Sequence, residues 1–245
     1  MNETKKIGGL NANMIKWIAY LAMLLDHAAY VFLPSSNLLY TVLRILGRVA
    51  APTMCFFIAE GYFHTSNLKK YMGRLALMAV ISHVPYALCF GYSDIWQVWR
   101  VTGVIWSLFM GLVALAIVDR FTIAKHPLLT WGVRIAAVGV CCLLAYSADW
   151  NYIAVLWVVA FGVLRNSRGK QLFAFGFGAL LYLAQTYGNG LLLGSYFPIG
   201  VVLFLPILFL YNGALGKKSV VLKWAGYWFY PLHLIALYLL AMLVK

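Results

Sequence analysis

The chain has 245 residues, of which 64% are hydrophobic and only 10% are charged, and its mean hydropathy is +0.86. Soluble domains carry about 25% charged and about 45–50% apolar residues, so this chain has too little polar surface to cover a water-soluble globule. The composition argues against soluble enzymes, disordered tails, disulfide-rich secreted modules and nucleic-acid-binding domains. It favours an all-α polytopic membrane protein, with one domain over residues 1–245.

The chain divides into apolar stretches long enough to cross a bilayer, which takes roughly 20 residues in a helix. We predict about nine transmembrane helices, with eight to ten compatible with the uncertain ends. The nine stretches are residues 14–33, 43–63, 72–91, 101–119, 127–146, 150–164, 171–187, 191–211 and 226–244. The sixth is short enough to be tilted or re-entrant, and Gly188-Asn189-Gly190 predicts a turn after the seventh.

The formal charge of +13, from 19 basic and 6 acidic residues, is distributed unevenly. Fifteen of the basic residues fall in or beside the N-terminal tail and every second loop, and the others are Arg44, Arg48, Arg100 and Lys245. Lys and Arg collect in cytoplasmic loops, so the pattern predicts a cytoplasmic N-terminus and an outside C-terminus in a plasma (inner) membrane. It explains the charge through the lipid bilayer and without a nucleic-acid partner.

The four cysteines, Cys55, Cys89, Cys141 and Cys142, all lie in apolar stretches and form neither a disulfide framework nor a metal-binding pattern. We interpret them as apolar packing residues and expect no metal. The chain also lacks a complete phosphate-binding loop, a GxSxG elbow and an HExxH motif. Acid–base chemistry by histidine in a buried cavity is the chemistry that remains.

Three histidines in different predicted spans lie at a similar depth. At about 1.5 Å of rise per residue, His27, His83 and His233 lie roughly 14–16 Å above the basic residues that mark the inner surface. Ionisable groups inside a membrane are costly and usually serve a site or pair with one another. The histidines therefore predict a common site, although three separately satisfied core histidines are the alternative.

Other polar residues accompany the histidines in the spans. Arg44 and Arg48 share a helix face, and Pro52 predicts a kink beside Arg48. The Arg48 side chain either stabilises an anion or extends to the outer interface. Asp26 lies about 100° around its helix from the adjacent histidine, so we expect it to pair with one of these arginines. Glu60 lies towards the inner end of the second span.

Prolines accompany two of the histidines: Pro85 follows His83, and Pro231 precedes His233. We expect both prolines to break their helices. Helices broken near the bilayer midplane commonly line cavities. Tyr230, three residues before His233, shares its helix face and is a candidate hydrogen-bonding partner or an interfacial ring.

Three short motifs together resemble the TraX family, the membrane proteins associated with acetylation of conjugative pilin. They are Met23-Leu24-Leu25-Asp26-His27, Gly47-Arg48-Val49-Ala50-Ala51-Pro52 and Phe229-Tyr230-Pro231-Leu232-His233-Leu234. Order, spacing and length agree over nearly the whole chain. More distantly, the chain resembles the acyltransferase-3 and lysosomal heparan N-acetyltransferase families.

The resemblance implies an acetyl-CoA-dependent membrane acyltransferase. Its acceptor would be an amine or hydroxyl of a pilin-like peptide N-terminus or of a cell-envelope glycan. His27 is then the catalytic base or acyl carrier, Arg48 belongs to the active site, and His233 and Tyr230 line the pocket. We add Asp26 to the catalytic residues.

Further residues are candidates for binding acetyl-CoA, although Glu60 and Arg44 depart from the TraX pattern. The basic inner loops could hold its phosphates, but membrane topology already requires these charges. The further candidates are His83, Arg44, Glu60, Lys69, Lys70 and Arg74.

Two other functions remain open. A proton-coupled small-molecule transporter could use the intramembrane His, Asp and Glu side chains as a relay, but the sequence has no visible internal repeat. A purely structural membrane subunit would leave three histidines at one depth unexplained.

Overall fold

The computed structural model describes most of the chain. The described residues are 9–92, 94, 98, 101–188, 196–217 and 219–244. They form two compact units, one drawn from Met1–Met54 and Leu183–Lys245 and the other from Cys55–Tyr182. The prediction of a single domain over 1–245 stays a prediction.

The described residues are mostly helical and include no β-strand, only two isolated bridges. Helices α1 to α6 are Ala12–Phe32, Leu38–Gly47, Ala50–His64, Leu68–Ile81, His83–Cys89 and Val104–Arg120. Helices α7 to α9 are Pro127–Leu144, Asn151–Val163 and Arg168–Gly188. A 3-10 segment, Phe197–Leu203, leads into α10, Phe204–Leu210. The last helix, α11, is Val220–Val244.

Each of the nine predicted stretches contains helix, and the all-helical membrane class is confirmed. Within the described part of the chain, five helical stretches are long and apolar enough to cross a membrane: Ala12–Phe32, Leu38–His64, Leu68–Cys89, Pro127–Leu144 and Val220–Val244. The count of nine and the cytoplasmic N-terminus stay predictions. The predicted turn at residues 189–190 lies outside the described residues, as do Arg100 and Lys245.

Asparagine side chains fix where several helices begin. The Asn11 side chain accepts a hydrogen bond from Met14 N at 3.0 Å, and Asn37 accepts one from Leu39 N at 2.8 Å. These caps satisfy backbone donors that the first helical turn leaves without intrahelical partners. They set the start of α1, which carries Asp26 and His27, and of α2, which carries Arg44.

Two prolines coincide with helix breaks and one does not. The helix stops between α2 and α3 beside Pro52 and between α4 and α5 beside Pro85, since proline cannot donate to the carbonyl four residues earlier. Helix α11 runs through Pro231 without interruption, so the expected break there is wrong. Proline removes only one backbone bond, and the bonds around it can hold a helix together.

In the first unit, two glycines allow close approach of α2 to its neighbours. A Cβ on Gly47 would lie 2.2 Å from the Asp26 Cβ, and one on Gly200 would lie 2.1 Å from the backbone oxygen of Ile45. Helix α2 therefore lies directly against α1 on one side and against the 3-10 segment on another. This approach brings Arg44, in α2, and Arg48, which follows it, to the aspartate of α1.

The second unit has an apolar core around α6, α7 and α8. Gly111 faces the Val158 side chain, and the fully buried Trp157 donates from Nε1 to the Phe175 carbonyl at 3.3 Å. Cys141 packs in the apolar cluster of this core, which agrees with its interpretation as a packing residue.

Candidate active site

Two of the predicted histidines meet inside the first unit. His27 Nδ1 lies 2.8 Å from His233 Nε2, although 206 positions separate the residues, and both side chains are buried. The rings are nearly parallel, at 11°, with centroids 5.1 Å apart. Because the two nitrogens are much closer than the two centroids, they lie between the ring centres, which is the geometry of an in-plane N–H···N bond.

The second nitrogen of His233 decides the direction of that bond. His233 Nδ1 lies 2.7 Å from the Phe229 carbonyl oxygen. A carbonyl can only accept, so His233 Nδ1 carries the proton and, in a neutral ring, Nε2 accepts. His27 Nδ1 must then be the donor, and its Nε2 carries the lone pair. The tautomers assigned from these partners form a relay from His27 through His233 to the Phe229 carbonyl.

Aromatic rings fix both imidazoles. The Tyr230 ring meets His27 and His233 edge-on, with centroids 6.3 Å and 5.5 Å away, and the Phe229 ring stacks on His233 at 4.8 Å. From α1, Tyr20 stacks on Phe229 at 5.0 Å. Tyr230 shares the face of His233, as its spacing predicts, and contacts both histidine rings.

Beside His27, one carboxylate oxygen receives two guanidinium groups. Asp26 Oδ2 accepts from Arg44 NH1 at 2.9 Å and from Arg48 NH2. The exposed fraction of each arginine side chain is 11%, and that of Asp26 is 6%. The predicted pairing of Asp26 with these arginines is confirmed. One negative and two positive charges leave this buried triad with a net charge of +1.

Aromatic faces surround the arginines of the triad. The Arg44 Cζ lies 4.8 Å from the Phe197 ring centroid and 5.5 Å from that of Tyr30, and the Arg48 Cζ lies 5.7 Å from that of Phe197. Cation–π contacts of this kind stabilise a guanidinium away from water. Sequence reasoning missed Phe197, because nothing in the eighth stretch distinguishes it from other aromatic residues.

The helix break positions Arg48. Its backbone N–H is shared between the carbonyls of Arg44 and Ile45, each at 3.3 Å, and α2 has already ended at Gly47. The predicted kink beside Pro52 is confirmed as a break. It lets the chain turn at Arg48 while the side chain stays directed at Asp26.

The remaining predicted donor-binding residues lie in the second unit. His83 begins α5, and Glu60 lies in α3, where its carbonyl accepts from His64 Nδ1 at 2.8 Å. Lys69 and Lys70 are exposed at the start of α4, and Arg74 is partly buried one turn later. Their part in binding acetyl-CoA stays a prediction, as does the inclusion of His83 in one site with the other two histidines.

The second unit also holds a polar cluster that sequence reasoning missed. The Tyr62 hydroxyl donates to Asp119 Oδ2 at 2.5 Å and accepts from Arg120 Nε at 3.0 Å. The adjacent Asp119 and Arg120 at the end of an apolar stretch were the available signal. The cluster joins the end of α3 to the end of α6.

Comparison with known proteins agrees with the motifs. The family model described as TraX protein matches residues 11–241. A relative named "Probable fimbrial assembly protein FimC, serogroup H1", from Dichelobacter nodosus, is 32% identical over 91% of this chain and 93% of its own length. No solved structure matches the chain. The motifs that meet around His27 thus lie within a match of nearly full length, and the chain belongs to the TraX family.

Proposed function

We propose that the chain is a membrane acetyltransferase that moves the acetyl group of acetyl-CoA to an amine or hydroxyl acceptor. The observation that carries the proposal is the relay from His27 to the Phe229 carbonyl, which leaves the lone pair on His27 Nε2. A neutral imidazole held in one tautomer is the group that general-base or nucleophilic acyl transfer needs. The TraX resemblance names the same histidine.

The reaction balances without any further reactant. An acceptor nitrogen or oxygen forms a bond to the acetyl carbon, the C–S bond to CoA breaks, and the acceptor proton passes through His27 Nε2 to the leaving thiolate. In the covalent variant, Nε2 first bonds to the acetyl carbon as the C–S bond breaks, which gives an acetyl-imidazolium and the CoA thiolate. The acceptor then bonds to the acetyl carbon as the bond to Nε2 breaks, and the acceptor proton passes to the thiolate. The same ring nitrogen serves both routes.

The triad beside His27 supplies the electrostatics. Arg48 and Arg44 already share Asp26, and the surplus positive charge favours negative charge developing on the thioester oxygen. Charge stabilisation is strong where water is excluded, as it is around these buried side chains. We assign Arg48 to the oxyanion and Asp26 to holding the Arg48 side chain.

Donor and acceptor classes follow from the membrane setting and the relative. Acetyl-CoA is cytosolic, which suits an inner-membrane enzyme, and Lys69, Lys70 and Arg74 are the groups we assign to its phosphates. The relative's name refers to fimbrial assembly, so we assign a pilin-like peptide N-terminus as the acceptor. A cell-envelope glycan is the alternative acceptor, and mass spectrometry of envelope peptides and glycans with and without the protein distinguishes the two.

The direct test uses purified protein, radiolabelled acetyl-CoA and an envelope extract from cells lacking the protein. We expect His27→Gln to lower transfer by about 10²–10⁴-fold, because the general base is lost. The matched control is His126→Gln, an exposed histidine just before α7, which should keep full activity. Full activity in His27→Gln would refute the proposal.

The same preparation tests the transporter alternative. In sealed vesicles, an acetyltransferase transfers label or hydrolyses the thioester without an imposed pH gradient. Flux of a small solute that depends on the gradient and on His27, with neither acetyl transfer nor hydrolysis, would establish the transporter instead.

A further inference from the structure

We infer that His233 is a positioning residue for the proposed reaction: it holds His27 in the tautomer that leaves Nε2 unprotonated. The inference rests on the proposed function and replaces the expectation that His233 lines the acetyl-CoA pocket. It follows from the two bonds of His233, at 2.8 Å to His27 Nδ1 and at 2.7 Å to the Phe229 carbonyl oxygen.

Both ring nitrogens of His233 are used inside the protein. Nδ1 donates to a backbone carbonyl and Nε2 accepts from His27, so neither nitrogen remains for a hydrogen bond to a substrate. The side chain is also 7% exposed and is covered by the Phe229 and Tyr230 rings. His233 therefore acts through His27 and has no separate contact to offer acetyl-CoA.

The direction of the relay is set by the backbone. A neutral imidazole can carry its proton on either nitrogen, and a hydrogen-bond partner selects which. The Phe229 carbonyl can only accept a hydrogen bond, and it belongs to the same helix as His233. The α11 backbone itself therefore selects which nitrogen of His233 carries the proton. The α11 backbone thus fixes the proton on His233 Nδ1, and His233 in turn fixes the proton on His27 Nδ1.

The relay also has a place for the proton taken during transfer. When His27 Nε2 accepts the acceptor proton, the imidazolium Nδ1–H already points at His233 Nε2, which shares the positive charge through the hydrogen bond. No proton leaves the pair until Nε2 returns it to the CoA thiolate. The positioning role and the charge-sharing role therefore use the same bond.

Two substitutions at residue 233 separate positioning from pocket lining. In His233→Gln the side-chain oxygen reaches the place of Nε2 and can accept from His27, whereas in His233→Asn the shorter amide reaches only the place of Nδ1. We expect His233→Asn to lower kcat by about 10²-fold with an unchanged KM for acetyl-CoA. His233→Gln should restore most of kcat.

Nitrogen-15 NMR of histidine-labelled protein reads the tautomer without any activity measurement, and the His27→Gln spectrum identifies the His27 signals. We expect Nδ1–H on His27 in the wild type and in His233→Gln, and Nε2–H, or a mixture, in His233→Asn. Size-exclusion chromatography in detergent checks that each variant is folded.

The outcomes separate this inference from the proposed function. A wild type that transfers no acetyl group refutes the proposed function, and the catalytic part of this inference falls with it. Transfer by the wild type with Nε2–H on His27, or a raised KM and unchanged kcat in His233→Asn, overturns the positioning role alone.

Discussion

The Asp26 triad places two positive charges against one negative charge in a buried, membrane-embedded group. Two arginines share one carboxylate oxygen, and Met1–Met54 with Leu183–Lys245 contain only one other acidic residue, Glu3. Removing charges from water costs several kcal/mol per ion, and good geometry together with further hydrogen bonds must offset that cost. Asp26 is therefore the residue on which the buried positive charge of this unit depends.

Asp26→Asn should destabilise the protein strongly. The change leaves two buried guanidinium groups without their shared carboxylate, and breaking a buried ion pair from one side costs about 3–5 kcal/mol. Denaturant unfolding of the purified protein in detergent measures the loss of unfolding free energy.

The double variant Asp26→Asn/Arg44→Met provides the control. Because it removes one of the orphaned charges, it should be less destabilised than Asp26→Asn alone, and the difference measures the coupling. Equal stabilities of the single and double variants would contradict the role of the triad.

Sequence reasoning found these residues but not all of their contacts. The helical offset between Asp26 and His27 predicted the pairing of Asp26 with arginine, and depth along the helices predicted that His27 and His233 share a level. Neither argument could find the bond to the Phe229 carbonyl. That bond depends on a side-chain rotamer within one turn of helix, and hydropathy and depth carry no information about it.

At the level of helices, Gly47 allows the close approach of α2 to α1. A Cβ there would lie 2.2 Å from the Asp26 Cβ, which is shorter than van der Waals contact allows. Helix α2 ends at Gly47, and α3 begins at Ala50. Arg44 and Arg48 reach Asp26 because Gly47 between them has no side chain.

Gly47→Ala should therefore force α2 away from α1 and destabilise the protein by about 1–3 kcal/mol, as overpacking does. Transfer of acetyl label should fall with it, because Arg48 moves from Asp26. Thermal unfolding in detergent and the transfer assay measure the two effects.

The matched control is Gly132→Ala in α7, where an added Cβ meets nothing within 4 Å. Alanine is the better helix former, so this variant should gain about 0.5–1 kcal/mol. A loss at Gly132 as large as the loss at Gly47 would mean that steric contact is not the cause.

The helix breaks were only partly predictable. Pro52 and Pro85 lie near the start of α3 and α5, where the missing N–H coincides with the end of the preceding helix. Pro231 lies in the middle of the 25-residue α11, whose remaining backbone bonds continue on both sides. The three prolines lie in similar apolar stretches, and local pattern does not reveal which of them coincides with a break.

In the whole molecule, segments from the two ends of the chain belong to one unit, which the sequence did not reveal. The first helices and the last helix form one unit, and residues Cys55–Tyr182 form another. In the first unit, Leu10 N donates to the Leu210 carbonyl at 2.8 Å, and Asn212 N donates to that of Leu10 at 3.1 Å. Hydropathy fixed the class of fold, but pairing of distant segments depends on contacts that no local pattern contains.

The predicted topology can be tested on full-length protein in intact cells. With the N-terminus inside and nine spans, residue 147 lies outside and residue 166 inside. A membrane-impermeant maleimide should label Ser147→Cys but not Asn166→Cys, and both positions should react once the cells are permeabilised. Equal labelling of the two in intact cells would show that Asn151–Val163 does not cross the membrane.

The pairing of His27 with His233 also has a consequence for biosynthesis of the protein. The ribosome makes His27 early and its partner 206 residues later. At ~5–20 residues per second this interval is roughly 10–40 s. During that time His233 does not yet exist to fix the His27 tautomer, so on the proposed mechanism the nascent chain transfers acetyl groups no faster than His233→Asn. On that mechanism, insertion of the last helix completes the site.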